Sequence, residues 1–204
     1  MSAASFEPHY QGDPPWETGR AQPTVVTLAE EGRIRGRVLD VGCGTGENAL
    51  CLAAPGYSVL GIDGAATAVE RAQAKARQRA LAAEFVVADA FDLTALGQKF
   101  DTALDSAFLH IPGNTVDRRR AYTNQLAEVL HTGGWVHLLQ ISEQVTEHPS
   151  MTSEEIVDAF DDRWTNATIR EATYAVTTGE VPAWLVSVQR RAAGQNPPGH
   201  RPTI

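Results

Sequence analysis

The residues of this 204-residue chain whose types and spacing speak most directly of chemistry lie in Val38-Leu39-Asp40-Val41-Gly42-Cys43-Gly44-Thr45-Gly46. An acid closes an apolar run, and glycines follow at every second position. Glycine is needed where backbone takes an unusual φ or lies against a ligand with no Cβ in the way. A turn of this kind between a strand and a helix suits an adenosine-type cofactor, and dinucleotide enzymes use a related one. Here the pattern is G-x-G-x-G, and position 47 is Glu rather than the third glycine of G-x-G-x-x-G. Glu47 at a helix N-terminus would oppose a pyrophosphate there. A ligand with a sulfonium and an ammonium group tolerates that acid much better. Asp63 ends a second apolar run, about twenty residues on, where a carboxylate can accept both ribose hydroxyls. Asp89 ends a third, where a carboxylate can accept an adenine amino group. Either aspartate alone reads as a turn or cap residue. Acids at three successive strand ends read as a site.

These residues need a scaffold, and the chain alternates in the way that supplies one. Apolar runs at Arg37–Val41, Tyr57–Ile62, Glu84–Ala88, Phe100–Leu104 and Trp135–Ile141 read as strands. Helical patterns separate them: one after the glycine loop, stopped by Pro55-Gly56; one over Ala66–Leu81, with Val69, Ala72, Ala76 and Ala80 on one face; and one between Asp117 and Leu130, with Tyr122, Leu126, Val129 and Leu130 inward. Strand-helix alternation implies parallel units. Thr168–Val176 and Ala183–Arg190 are both β-rich, and the link between them is too short for a helical crossover, so they should pair antiparallel. The expected fold is an α/β, doubly wound, Rossmann-like seven-stranded sheet, mostly parallel with a C-terminal antiparallel hairpin. Residues 1–191 form a single domain, in which residues 1–31, including a short helix over about Thr24–Glu31, cap the cofactor site. Residues 192–204 form a loose tail.

Composition bounds the partners. The net charge is −8, from 25 acidic and 17 basic residues, which argues against a phosphate-backbone partner and leaves no nucleic acid expected. No run approaches the ~20 apolar residues of a membrane span, and the N-terminus lacks a signal-peptide pattern. Cys43 and Cys51 make no disulfide framework, so a cytoplasmic setting is expected. Asp161-Asp162 has no metal-ligand spacing around it, and no metal is expected.

The segment from about Pro14 to Arg190 resembles a class I S-adenosylmethionine-dependent methyltransferase. The general motifs are Val38 to Gly46, Gly61-Ile62-Asp63 and Ala88-Asp89-Ala90. More narrowly, Pro14-Pro15-Trp16-Glu17-Thr18-Gly19-Arg20-Ala21-Gln22-Pro23 is similar to the P-W-D-x-G-R-x-x-P signature of the small bacterial thiopurine/thiol/halide-type branch, which includes heterocyclic-toxin methyltransferases. Glu17 in place of Asp, and His131-Thr132 in place of Arg-Pro, depart from that pattern. The resemblance implies S-adenosyl-L-methionine as cofactor, S-adenosyl-L-homocysteine as product, and an N-terminal segment that closes over the site with Trp16 against the cofactor. The cofactor set it implies is Trp16, Arg20, Asp40, Gly42, Cys43, Gly44, Asp63, Gly64, Asp89, Ala90, Phe91, Asp105 and Ser106.

Methyl transfer from a sulfonium is an in-line displacement, which needs alignment and a largely dry pocket more than acids and bases. Aromatic walls exclude water and attract a cationic methyl-sulfonium. Tyr10, Trp16, Phe108 and His110 are therefore the expected acceptor contacts, with His110 a candidate general base for a phenol, thiol or ring N–H. Cys43 reads as a packing residue, Arg118-Arg119-Arg120 as a solvated face, His137 as a buried strand residue and His131 as the last turn of a helix. The expected activity is methylation of S, N or O on a small aromatic or heterocyclic molecule by a monomer or homodimer. A nicotinamide-dependent Rossmann oxidoreductase and a non-catalytic S-adenosylmethionine-binding module are the alternatives.

Overall fold

The structure is a computed structural model that describes residues 3–192. A seven-stranded sheet organises it. The strands are β1 (Arg37–Val41), β2 (Ser58–Asp63), β3 (Ala83–Val87), β4 (Phe100–Ser106), β5 (Leu130–Ile141), β6 (Thr168–Val176) and β7 (Gly179–Gln189). Their order is β3-β2-β1-β4-β5-β7-β6. Pairs from β3 through β5 are parallel, and β7 runs antiparallel to both β5 and β6. The mixed sheet with its C-terminal hairpin is the expected one. The hairpin is tighter than the sequence suggests, because β7 begins at Gly179 rather than near Ala183.

Buried strand positions explain the apolar runs. Every residue of β1 after Arg37 is buried, as a central strand covered on both faces requires. The helices α1 (Pro23–Glu30), α2 (Glu47–Ala53), α3 (Ala66–Arg79), α4 (Val116–Val129) and α5 (Ser153–Val157) flank the sheet. Pro23 opens α1 at a first-turn position, where its missing N–H costs nothing. A capping box built by Thr152 and Glu155 starts α5. The packing of α2 against the sheet depends on Gly46, which has φ 87°. A Cβ there would lie 2.8 Å from the Phe85 ring and 2.9 Å from Ala72.

Several local expectations change. Ala80 lies beyond α3 with φ 52° and is exposed, so it leaves the buried face that Val69, Ala72 and Ala76 share. Strand β5 starts at Leu130 and runs through Gly133-Gly134, so His131 is a strand residue and not a helix end. Arg118 does not stand in solvent, since its guanidinium lies 4.1 Å from the centre of the Phe91 ring. His137 is buried as expected, with Nδ1 2.8 Å from Ser187 Oγ. A 3-10 helix over Ala3–Gln11, another over Leu93–Leu96, and α5 had no sequence expectation. The tail expected at 192–204 lies, beyond its first residue, outside the described residues. No helix among the described residues is long and apolar enough to cross a membrane.

Candidate active site

Strand order reverses direction around β1 and β4, and the C-terminal ends of such strands leave a crevice. A cavity of about 250 Å³ opens there. Its floor comes from four strand ends: Gly42, Cys43 and Gly44 after β1; Asp63 and Gly64 at β2; Ala88 to Phe91 after β3; and Ser106, Ala107, Phe108 and His110 at and after β4. The N-terminal segment covers it with Phe6, Tyr10, Pro15, Trp16 and Arg20.

Asp63 organises the floor. One carboxylate oxygen accepts the Gly44 N–H at 2.9 Å and the other accepts the Ala65 N–H at 2.8 Å. The same side chain thus holds the glycine loop and the start of α3. Burial raises its pKa above the ordinary carboxylate value, against the backbone N–H groups that lower it. Gly44 has φ 54°, and a Cβ on it would lie 2.8 Å from Glu17 Oε1 and 3.1 Å from the Tyr10 hydroxyl. Glycine is therefore what lets the covering segment approach the loop.

The covering segment is fastened at both edges. Glu17 accepts the Thr45 N–H at 3.1 Å and also bonds the Thr45 hydroxyl, to which Lys75 donates in turn. Lys75 pairs with Glu47 at 2.8 Å, and Arg79 holds Glu47 through both guanidinium nitrogens. Burial alone would raise the Glu47 pKa, but Arg79 and Lys75 outweigh it and hold it below the ordinary value. On the other edge, the buried Gln22 donates to Ala175 O at 3.0 Å and accepts the Ala175 N–H at 2.7 Å. The Thr177 N–H donates to Pro15 O at 2.9 Å. Within the segment, Trp16 Nε1 donates to the Tyr10 hydroxyl at 3.3 Å.

The β4 end is the most constrained part of the site. Ala107 has φ 71°, a left-handed conformation that costs a residue with a Cβ about 1–2 kcal/mol. That turn folds the chain back so that Asp105 Oδ1 accepts the Phe108 N–H at 2.9 Å and the Leu109 N–H at 3.4 Å. Burial raises Asp105 to a pKa of about 6. Phe108 packs against Tyr122 with ring centres 5.0 Å apart. His110 Nδ1 lies 2.8 Å from Gln140 Oε1, and burial lowers its pKa to about 4.

Of the residues expected from sequence, Tyr10, Trp16, Arg20, Gly42, Cys43, Gly44, Asp63, Gly64, Asp89, Ala90, Phe91, Ser106, Phe108 and His110 line the one cavity. Asp40 and Asp105 do not. Asp40 is 1% exposed and sits beneath the loop, and Asp105 is wholly buried with its carboxylate turned to the backbone. Sequence reasoning did not find Glu17, Gln22, Gln140 or Tyr174 as parts of the site. Gln22 and Glu17 lie in a segment whose aromatics drew attention, and nothing in their spacing announces partners on distant elements.

The donor set fits a cationic adenosine ligand. Asp63, Asp89, Glu17 and Glu47 line the cavity, and Arg20 is the single Lys or Arg among its described lining residues. An anionic pyrophosphate meets the wrong field there, while ammonium and sulfonium groups meet the right one. Among the described residues no cluster of His, Cys, Asp or Glu has the arrangement to hold a metal ion.

The fold and this cavity define a Rossmann-like methyltransferase architecture. Residues 38–134 match the family profile of a methyltransferase domain. The chain is 35% identical over 137 residues to the 2-heptyl-1-hydroxyquinolin-4(1H)-one methyltransferase of Mycobacteroides abscessus, a match that covers 63% of this chain and 60% of that protein. It is 31% identical to an uncharacterised methyltransferase of Schizosaccharomyces pombe, over 58% of this chain and 80% of the relative. A solved structure from work on conversion of a disulfide bond into a thioacetal group during echinomycin biosynthesis superposes with a TM-score of 0.86 at 35% identity, covering 95% of this chain and 93% of that one. The chain belongs to the class I S-adenosylmethionine-dependent methyltransferases. It spans only 60% of the length of the quinolone enzyme it matches.

Proposed function

We propose that this chain transfers a methyl group from S-adenosyl-L-methionine to an O, N or S atom of a small aromatic or heterocyclic molecule. The observation that carries the reading is the cavity at the β1–β4 strand ends, acidic on the loop side and aromatic or apolar on the other. When bound, the cofactor supplies an electrophilic methyl on a sulfonium, which leaves as a neutral thioether.

The chain's own residues do the rest. Asp63 and the Gly42–Gly44 backbone hold the ribose and the methionine end, and Asp89, Ala90 and Phe91 hold the adenine. Arg20 and Ser106 complete the cofactor side. Tyr10, Trp16, Phe108 and the apolar Ile111, Pro112, Ile141 and Val176 exclude water from the acceptor side. Removing water strengthens every electrostatic contact within. Aromatic faces stabilise a nearby cation by ~0.5–2 kcal/mol each. Residues 1–31 act as the cap of one methyltransferase domain. The small-molecule acceptor of the quinolone relative supports this acceptor class, and the acidic composition supports one that is not nucleic acid. Free Cys43 and Cys51 support the expected cytoplasmic setting, with the chain acting as a monomer or homodimer.

The test has two arms. Thermal shift with S-adenosylhomocysteine against NAD should show stabilisation by the first. Stabilisation by NAD alone refutes the reading in favour of an oxidoreductase. A mass-spectrometric screen for gain of one CH2 over phenols, thiols and N-heterocycles should then find a product. Tight homocysteine-ligand binding with no product from any acceptor would point to a non-catalytic binding module.

A further inference from the structure

Gln140 sits in the interior of the sheet on β5, wholly buried, and its amide reaches two groups at once. Nε2 donates to Asp105 Oδ1 at 2.7 Å. Oε1 accepts the backbone N–H of His110 at 3.2 Å and lies 2.8 Å from His110 Nδ1. The backbone N–H settles the orientation of the amide. Turned the other way, Nε2 would face a second donor and Oε1 would face the carboxylate. With Oε1 toward His110, the ring nitrogen beside it must donate, so Nδ1 carries the hydrogen. Nε2 is then the bare nitrogen. His110 lines the cavity, and among the described residues Nε2 has no hydrogen-bond partner.

We propose that Gln140 is a positioning residue that holds His110 as the Nδ1–H tautomer, so that Nε2 takes the proton of the acceptor, and that the preferred acceptors are neutral molecules bearing an acidic hydroxyl or ring N–H rather than preformed anions. The inference rests on the methyl-transfer reading and names its substrate class. The acceptor's O–H or N–H bond breaks and its proton goes to Nε2. The electron pair left on oxygen or nitrogen forms the new bond to the methyl carbon, and the pair of the old carbon–sulfur bond stays on sulfur. The imidazolium then returns its proton to water. Methylated acceptor, S-adenosylhomocysteine and one proton are the products.

Two features point away from an anionic acceptor. A bare lone pair faces the cavity where an anion would need a donor or a cation. The cavity already carries Glu17, Asp63 and Asp89 against Arg20. Burial also lowers the affinity of His110 for a proton, which keeps the ring neutral and ready to accept at physiological pH. A ring so weakly basic accepts effectively only as the new bond forms, which favours an acceptor whose own proton is acidic.

The experiment reads the tautomer and the chemistry separately. Protein labelled with 15N-histidine is examined by NMR, with His110→Ala assigning the signal. The expected result is a protonated Nδ1 and an unprotonated Nε2 in the wild type, and a shift toward mixed tautomers in Gln140→Met. A protonated Nε2 in the wild type overturns the inference whatever the activity. In parallel, kcat and KM are measured on a hydroxyquinoline and on thiophenol, which is ionised at the assay pH. In His110→Ala the ratio of kcat on hydroxyquinoline to kcat on thiophenolate should fall about 100-fold, the low end of general-base effects. In Gln140→Met it should fall about 10-fold, with KM little changed. An unchanged ratio in both variants overturns the proton-acceptor role. Methylation of neither probe by a wild type that binds S-adenosylhomocysteine would count against the proposed function, while the NMR arm would still decide the tautomer.

Discussion

Replacing Asp40 by Asn should change the pH dependence of folding in a definite direction. Asp40 is 1% exposed, and neither carboxyl oxygen makes a hydrogen bond of normal geometry. Burial pushes its pKa from 3.8 to about 8, the Ala49 amide offsets only part of that, and the neighbouring charges of Asp105 and Asp63 push the same way. The unfolded chain therefore releases this proton near pH 4, and the folded protein keeps it until about pH 8. Between those values the native state binds a proton that the unfolded state lacks. The stability Asp40 contributes is full below pH 4 and is lost as pH rises, at about 1.4 kcal/mol per unit, or about 6 kcal/mol across the window. Asn is neutral at every pH and nearly the same shape. Urea unfolding of the cofactor-free protein at pH 4.5, 6, 7.5 and 9 gives the comparison. The difference in stability between Asp40→Asn and wild type should move steadily in favour of Asn up to about pH 8 and level off there. Any constant penalty of the amide drops out of this slope, and so do titrating groups that do not interact with Asp40. A difference that stays flat within 1 kcal/mol would show that Asp40 is ionised in the fold, and the reasoning would fail.

Other expectations are as direct. His137 is held near pKa 4 by burial, against about 6.5 unfolded, so the stability tied to its neutral form is present above pH 6.5 and is lost as pH falls toward 4, by about 3 kcal/mol. His137→Gln should be less acid-sensitive by that amount in melting curves between pH 7 and 4.5, and equal acid sensitivity would refute the assignment. Gln22→Ala removes both bonds to Ala175 and leaves buried groups unpaired, a loss of about 2 kcal/mol in stability that should also weaken S-adenosylhomocysteine binding by calorimetry. Gly44→Ala strains a left-handed position and crowds Glu17 and Tyr10; it should cost about 1–2 kcal/mol and raise the cofactor KM well above its effect on kcat.

The parts of this molecule written in local sequence were readable from it. The alternation of apolar runs with helical patterns follows from backbone periodicity, and the antiparallel hairpin follows from the link between Val176 and Ala183, which is too short for a helical crossover. Asp63 was readable as a candidate because acids stand at three successive strand ends, although alone it reads as a turn or cap residue. Asp40 looked equivalent to it, and Asp105 was expected at the site through its backbone, yet neither lines the cavity. Strand-end position sets which acids are near a site, but whether the carboxylate points outward depends on the next turn, and the turn after Ser106 is bent by an alanine with positive φ. Gln140 was unreadable for a different reason. It meets Asp105 and His110 across a neighbouring strand, 35 and 30 positions away, and glutamine in a strand carries no periodic or spacing signal. Within the run Arg118-Arg119-Arg120, Arg120 is exposed as expected, but Arg118 is not, because the Phe91 face offers its guanidinium a better place.

The bonds between Gln22 and Ala175 join positions 153 apart, and this separation orders events in the life of the chain. On the ribosome, Pro15 and Gln22 are made before the glycine loop and the strands around it. The strand β6, which bonds Gln22, is made well after both. Until β6 is in place, the covering segment has its contacts to Thr45 and Asn48 on the loop side but lacks the Gln22–Ala175 and Pro15–Thr177 bonds on the other. Closure of the binding site is then a late, long-loop step in folding. A chain lacking the β6–β7 hairpin would keep the strand ends that carry Asp63 and the glycine loop but lose the bonds at the covering segment's second edge. The β6–β7 hairpin thus supplies the later of the two anchors that hold the covering segment over the strand ends.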